Sequence, residues 1–243
     1  NGSRGALITS EAFETKPLIR PLGPGVRVTG LRIAGPNPRR SLDHHARCFK
    51  EGRGHEYYYR FPTSDGIQTD HGNLTVDNCE LAGWSHASIH LVEGTGHHVH
   101  HNFIHHNQYQ GLGYGVSHSI AHSVIERNRF NHNRHSIAGT GSPGCGYVAR
   151  HNVEVGTSLS HCFDMHGGRD RKDGTDTAGT NVAYANNTFW CRKPSIMIRG
   201  IPEEPILVRN NWFAHANEEN AVIHEGNLKF GQNAWGRRHP EVI

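Results

Sequence analysis

Asp164 and His166 stand two residues apart in His161-Cys162-Phe163-Asp164-Met165-His166-Gly167, with apolar Phe163 and Met165 alternating against them. In an extended strand such alternation sends the carboxylate and the imidazole to one face and the apolar pair to the other. An imidazole titrates near neutral pH, which suits it to general acid–base work. Arg199, 33 residues beyond His166, would add a fixed cation. Tyr114 would add a phenol able to relay a proton or to offer a flat platform for a sugar. His90, Arg134, His135 and His224 are candidates for substrate binding. A generic outward histidine reads as simple solvation in a chain that has 22 of them. Asp164 with His166, followed by glycines and a loop, reads equally well as a functional site.

These residues need a scaffold, and the scaffold shows as a repeat. A short phrase recurs along the 243 residues: an apolar residue, a polar stretch ending in Asn, then another apolar or aromatic residue. Its copies end on Asn78, Asn102, Asn128, Asn152, Asn187, Asn211 and Asn233, with spacings of 24, 26, 24, 35, 24 and 22. Such a period, built of short alternating runs without 3.6-residue periodicity, predicts an all-β fold. The expected form is a single-stranded right-handed parallel β-helix (a β-solenoid) of about seven coils, one domain over residues 1–243. Stacked coils repeat every ~4.8 Å, so an Asn amide at a bend can bond to its counterparts above and below. Two insertions are expected, over residues 36–62 and 167–179; the second explains the long interval.

Counting twelve residues from each corner Asn places His90, Tyr114, Thr140, Asp164 and Arg199 in one outward column, with His166 two positions beyond Asp164. A column of that composition is chemically richer than solvation requires.

The segment around Asp164 resembles the Y-G-[FI]-D-P-H-[DE] signature of the mannuronan C5-epimerases, β-helix enzymes that act on alginate. Phe163, Asp164 and His166 match it, whereas His161, Met165 and Gly167 replace its tyrosine, proline and final acid. The resemblance implies His166 as base, Asp164 as its acidic support and Arg199 as neutraliser of the uronate carboxylate. Removing the C5 proton of a uronate builds charge on the adjacent carboxylate, so a cation must stand there. Reprotonation from the opposite face gives an epimerase, and expulsion of the 4-linked sugar gives a polysaccharide lyase. The expected partner is therefore a uronate polysaccharide. The alternatives are a non-catalytic glycan-binding or surface-structural module, and a glycoside hydrolase with an unrecognised carboxylate pair.

Composition excludes other classes. Hydrophobic residues make up 35%, mean hydropathy is −0.65 and 29 glycines are spread throughout, which suits a thin, turn-rich core. No apolar run reaches membrane-spanning length and no signal-peptide pattern appears. The net charge of +3 comes from scattered Lys and Arg without a nucleic-acid motif, which argues against RNA or DNA. Five cysteines form no C-x-x-C pair and read as small buried residues, with one disulfide possible in a secreted protein. An extracellular or periplasmic protein is expected, its leader trimmed or its chain cut from a larger parent.

Several other features take bland readings. The crowd of His97, His98, His100, His101, His105 and His106 lacks H-E-x-x-H and reads as a solvated ladder, so no metal ligands are assigned. The loop Asp170-Arg171-Lys172-Asp173-Gly174-Thr175-Asp176 carries three carboxylates; calcium is possible, but its two basic residues favour a polar surface loop. Tyr57, Tyr58, Tyr59 and Phe61 would either stack on sugars or pin the first insertion. Ser64-Asp65-Gly66-Ile67 resembles polygalacturonases in passing, without their paired aspartates. Exposed coil ends call for a flanking domain or a homo-oligomeric partner.

Overall fold

The structure is a computed structural model that describes residues 5–12, 14–36, 63–109, 111–156 and 158–236. Cys48, Tyr57, Tyr58, Tyr59, Phe61 and nearly all of the first insertion lie outside the described residues.

The chain winds as a parallel β-solenoid. Among the described residues its strands form one nine-stranded and one thirteen-stranded sheet in which every pairing is parallel to a neighbouring coil. Most strands span two to five residues, but Ala87–His100 and Tyr114–Glu126 run on round a bend and serve both halves of the larger sheet. Among the described residues helix is confined to two four-residue turns, Gly168–Arg171 and Glu218–Ala221. No helix among the described residues is long and apolar enough to cross a membrane.

Apolar side chains stack into interior columns because equal positions on successive coils pair directly. One column runs Ile67, Ile89, Val116, Ile137, Phe163, Ile196 and Val222. A second runs Val76, Val99, Ile125, Ala149, Tyr184 and Val208. The third breaks its own rule: Ile104, Phe130, Glu154, Phe189 and Phe213 place a carboxyl between two phenyl rings. Glu154 is fully buried, and Ser136 Oγ donates to its Oε2 at 2.5 Å. Burial pushes its carboxyl up to about 8 against that hydrogen bond, so it sits neutral in the core.

The asparagine ladder explains the corner. Asn128 donates its amide to Val99 O at 2.9 Å and to Asn152 Oδ1 at 3.1 Å. Its own Oδ1 accepts the Asn102 backbone N–H and side-chain amide, both at 3.0 Å. The same pattern passes through Asn152, Asn187, Asn211 and Asn233. Asn78 is a correction to the sequence count: Cys79 holds the ladder position and its N–H donates to Asn102 Oδ1. Asn78 instead takes the preceding site, a left-handed one at φ 53°, which His101, Arg127, His151, Asn186 and Asn210 fill on later coils. A second, shorter ladder of Asn107 and Asn133 reinforces the next bend.

The second insertion falls where the long interval put it and carries the turn Gly168–Arg171. Its three carboxylates diverge: Asp170 faces Arg199, Asp173 faces Arg171 and Asp176 faces Arg169. Cys79, Cys145, Cys162 and Cys191 are buried free thiols.

Two predictions test this core. Asn128→Ala strands buried partners on two coils and is expected to cost roughly 2–4 kcal/mol in urea denaturation, whereas Asn186→Gly, at an exposed left-handed site, should stay within about 0.5 kcal/mol. Glu154 has a folded pKa near 8 against an ordinary 4.5. Its stabilising contribution is therefore complete below about pH 4.5 and is lost as pH rises to about 8. Glu154→Gln should flatten that decline in denaturation curves taken across this range, and an unchanged slope would place its origin elsewhere.

Candidate active site

The strand Phe163–Met165 keeps the predicted alternation: Phe163 and Met165 are buried in the core and Asp164 projects from the outer face. The neighbouring coils then close over it. A Cβ on Gly167 would lie 1.7 Å from Arg199 O, so the coil carrying Arg199 can approach His166 only because residue 167 has no side chain.

Asp164 is the centre of the site. Arg199 forks onto it, with Nη2 2.7 Å from Oδ2 and Nε 3.2 Å from Oδ1. His166 Nε2 lies 2.9 Å from Oδ2, His161 Nε2 2.9 Å from Oδ1 and His135 Nε2 3.8 Å from Oδ2. Burial disfavours the charged form, yet the imidazoles of His166, His161 and His135 hold this 0%-exposed carboxyl well below the usual range. Burial likewise works against the Arg199 charge, and Asp164 more than restores it. Asp170 closes the outer side, its Oδ2 3.2 Å from Arg199 Nη1 and 3.7 Å from His166 Nδ1. Two carboxylates thus face one guanidinium. Side chains of His166 and Arg199 keep 28% and 24% exposure, so both can be reached from solvent.

Tyr114, His135 and His161 form a stack along the solenoid axis. Ring centroids are 5.7 Å apart for Tyr114 and His135, and 4.0 Å for His135 and His161. The Tyr114 hydroxyl donates to Gly111 O at 3.1 Å.

A second polar group lies further along the same face. Asp65 Oδ1 is 2.5 Å from His86 Nδ1, and His86 meets His90 and Tyr114 edge-on at 4.8 and 5.8 Å. Arg20 holds Gln68 Oε1, which turns the Gln68 amide toward His90 Nδ1 at 3.4 Å; His90 Nε2 reaches Ser119 Oγ at 3.1 Å. Burial, with the neighbouring His86, lowers the His90 imidazole to about 4.

The structure gathers His166, Asp164 and Arg199 as the sequence suggests, but the single column is corrected. Asp164 pairs with Ala138 and Met197, and His90 with Gln68 and Ser117. Tyr114 pairs with Ala87 and His135, and Arg199 bonds through its N–H to Met165 O. The count of twelve slips because loops of different length separate each corner from its strand. His135, expected to touch substrate, is 0% exposed and stands behind the surface. Arg134 is half-buried beside it, and His224 is exposed one coil beyond Arg199. His161 and His86 were given no role by the sequence; Asp170 was read only within a possible calcium or polar surface loop, and Asp65 only within a polygalacturonase-like segment. His161 and Asp170 lie within four residues of Asp164 or His166, whereas Asp65 and His86 meet through register alone.

No family model matches the chain, and no curated protein is similar to it in sequence. Among solved structures it is similar to an alginate lyase from Paenibacillus sp. str. FPU-7, at TM-score 0.48 and 12% identity over 95% of this chain and 80% of that one. Fold and site together define a parallel β-solenoid with an ionised carboxylate, three imidazoles and a guanidinium gathered on its outer face.

Removing the central anion tests the arrangement. Asp164→Ala is expected to cost about 3 kcal/mol in urea denaturation, because Arg199 loses its partner in a half-buried position. Adding Arg199→Met should recover part of that loss, and strict additivity of the two changes would refute the coupling.

Proposed function

We propose that the outer face around Asp164 binds a uronate-containing polysaccharide and removes the proton at C5, as a polysaccharide lyase or uronate C5-epimerase. The observation that carries this reading is the fixed placement of His166 and Arg199 on the buried Asp164 carboxylate, both with side chains open to solvent. With its Nε2 proton toward Asp164, His166 presents Nδ1 as the basic nitrogen. The C5 proton passes to that nitrogen, and the C–H electron pair moves into the sugar carboxylate. Three of the five Arg199 N–H donors are engaged by Asp164 and Asp170, which leaves two for the growing charge.

Two outcomes then diverge. If the electron pair returns to form a C4–C5 double bond, the C4–O bond breaks and the leaving oxygen takes a proton. If a proton is delivered to C5 from the opposite face, the sugar is epimerised. Tyr114 is the donor in either step, which requires its hydroxyl to turn from Gly111 O toward the sugar. Hydrolysis fits less well, since Asp164 is held ionised and cannot act as the acid of a carboxylate pair.

The test is incubation with alginate, polygalacturonate, hyaluronan and chondroitin, followed by absorbance near ~235 nm for the conjugated double bond and by proton NMR of the polymer. Unsaturated ends identify a lyase, and an altered epimer ratio without cleavage identifies an epimerase. His166→Ala should lower the rate by roughly 10²–10⁴-fold. Full activity in that variant overturns the assignment, reducing ends alone mean a hydrolase, and retention without reaction means a binding module.

A further inference from the structure

We propose that His135, His161 and Asp164 form a binding site for a divalent transition-metal ion of the zinc type, set just behind the outer face. His135 is fully buried, and its Nδ1 lies 2.6 Å from His161 O. Only an N–H can satisfy a carbonyl at that distance, so the proton is on Nδ1 and Nε2 carries a lone pair. Burial, with Arg134 and His161 nearby, pushes this imidazole well below its ordinary value and keeps it neutral. Nε2 has no hydrogen-bond partner, and the Asp164 carboxylate lies 3.8 Å from it. A lone pair aimed at an anion in a dry interior is costly unless a cation lies between them.

His161 stands on the other side of the carboxylate, its buried Nε2 2.9 Å from Asp164 Oδ1 and its Nδ1 3.2 Å from Ser160 Oγ, which accepts when the ring proton is on Nδ1 and Nε2 is left to bind an ion. The three donor atoms all lie within 4.8 Å of one another. Ligands bound tetrahedrally at 2.0–2.2 Å stand ~3.4 Å apart; His161 Nε2 lies 2.9 Å from Asp164 Oδ1 and His135 Nε2 3.8 Å from Oδ2, so small side-chain shifts bring the three groups onto one ion. Two imidazoles and one carboxylate suit zinc, cobalt, nickel or copper and are poor ligands for calcium or magnesium. The backbone carbonyl on His135 Nδ1 is the usual outer support of a metal-binding histidine.

The contrast with the other histidine group on this face is informative. There Asp65 engages His86 Nδ1 directly, and both ring nitrogens of His90 are taken up by Gln68 and Ser119, so no lone pair is stranded.

The ion would also change the charge the outer face presents. Asp164 and Asp170 outweigh Arg199 by one negative charge when the histidines are neutral. A dication reverses that sign and favours an anionic sugar, a consequence that rests on the function proposed above; the metal site itself does not.

The test uses the full chain without an affinity tag, stripped with chelator and titrated with Co²⁺ and then Zn²⁺. One equivalent of Co²⁺ is expected, with the intense visible bands of a tetrahedral site, displaced by Zn²⁺ and accompanied by a rise in Tm. His161→Gln and His135→Asn should each weaken binding at least a hundredfold, while His98→Ala with His101→Ala should leave it unchanged. Circular dichroism checks folding, and if His135→Asn unfolds, His161→Gln decides. Binding that survives His161→Gln, or vanishes with His98 and His101, overturns the site, as does the lack of any stoichiometric ion. Metal binding needs no polysaccharide, so a protein that binds Co²⁺ but leaves every polymer unchanged refutes only the enzymatic reading. Full activity in the stripped protein refutes only the ion's part in it.

Discussion

Coils of a parallel solenoid stack ~4.8 Å apart, and at that distance a buried polar group is satisfied by its counterpart one coil on or left unsatisfied. The Asn102, Asn128, Asn152, Asn187, Asn211 and Asn233 amides meet this constraint by making each side chain both donor and acceptor to its neighbours. The corner thereby fixes where each coil begins, and the register of the two sheets follows from it. Groups from coils far apart in sequence then arrive at set separations. His135 and Arg199 reach Asp164 only because three successive coils are locked in this way.

The same burial produces opposite protonation at two carboxyls. Glu154 lies between Phe130 and Phe189 with one hydroxyl as partner, and desolvation leaves it neutral. Asp164 is equally buried, but the surrounding imidazoles keep it ionised, and a guanidinium is forked onto it. The difference lies in the partners each coil delivers. Glu154 replaces a core side chain and faces inward. Asp164 faces outward, where neighbouring coils can place cations.

The fold was legible because an interior position leaves a periodic mark. Asparagine at the corner and apolar residues flanking it recur at coil length, and an insertion shows as one long interval. Chemistry on the outer face leaves no such mark. Asp164 and His166 were visible because they share one strand, and Arg199 because a family resemblance pointed one coil ahead. Asp65 and His86 come from different coils and meet only through pairing, which depends on loop lengths that the corner count does not contain. Asn78 shows the same weakness at the corner. A residue suited to the left-handed site was read as the ladder, one position early, because asparagine satisfies both requirements. Glu154 was illegible for a simpler reason, since a carboxylate in the sequence reads as exposed unless its column is known.

The departures from the C5-epimerase signature have physical causes within this chain. Met165 fills a space that Gly139 and Gly179 leave open, where an added Cβ would come within 2.9–3.1 Å of its sulfur or methyl. It also keeps the backbone pairing with Gly139 and Ile198 on both sides of its strand. Gly167 is obligatory, because the carbonyl of Arg199 occupies the place of any side chain there. An acid at that position would force the Arg199 coil away from Asp164. The short turn that follows brings a carboxylate back three residues later, with Asp170 facing His166 Nδ1 and Arg199 Nη1. Close approach of the coils and a second carboxylate over the site are incompatible at residue 167 and compatible at residue 170.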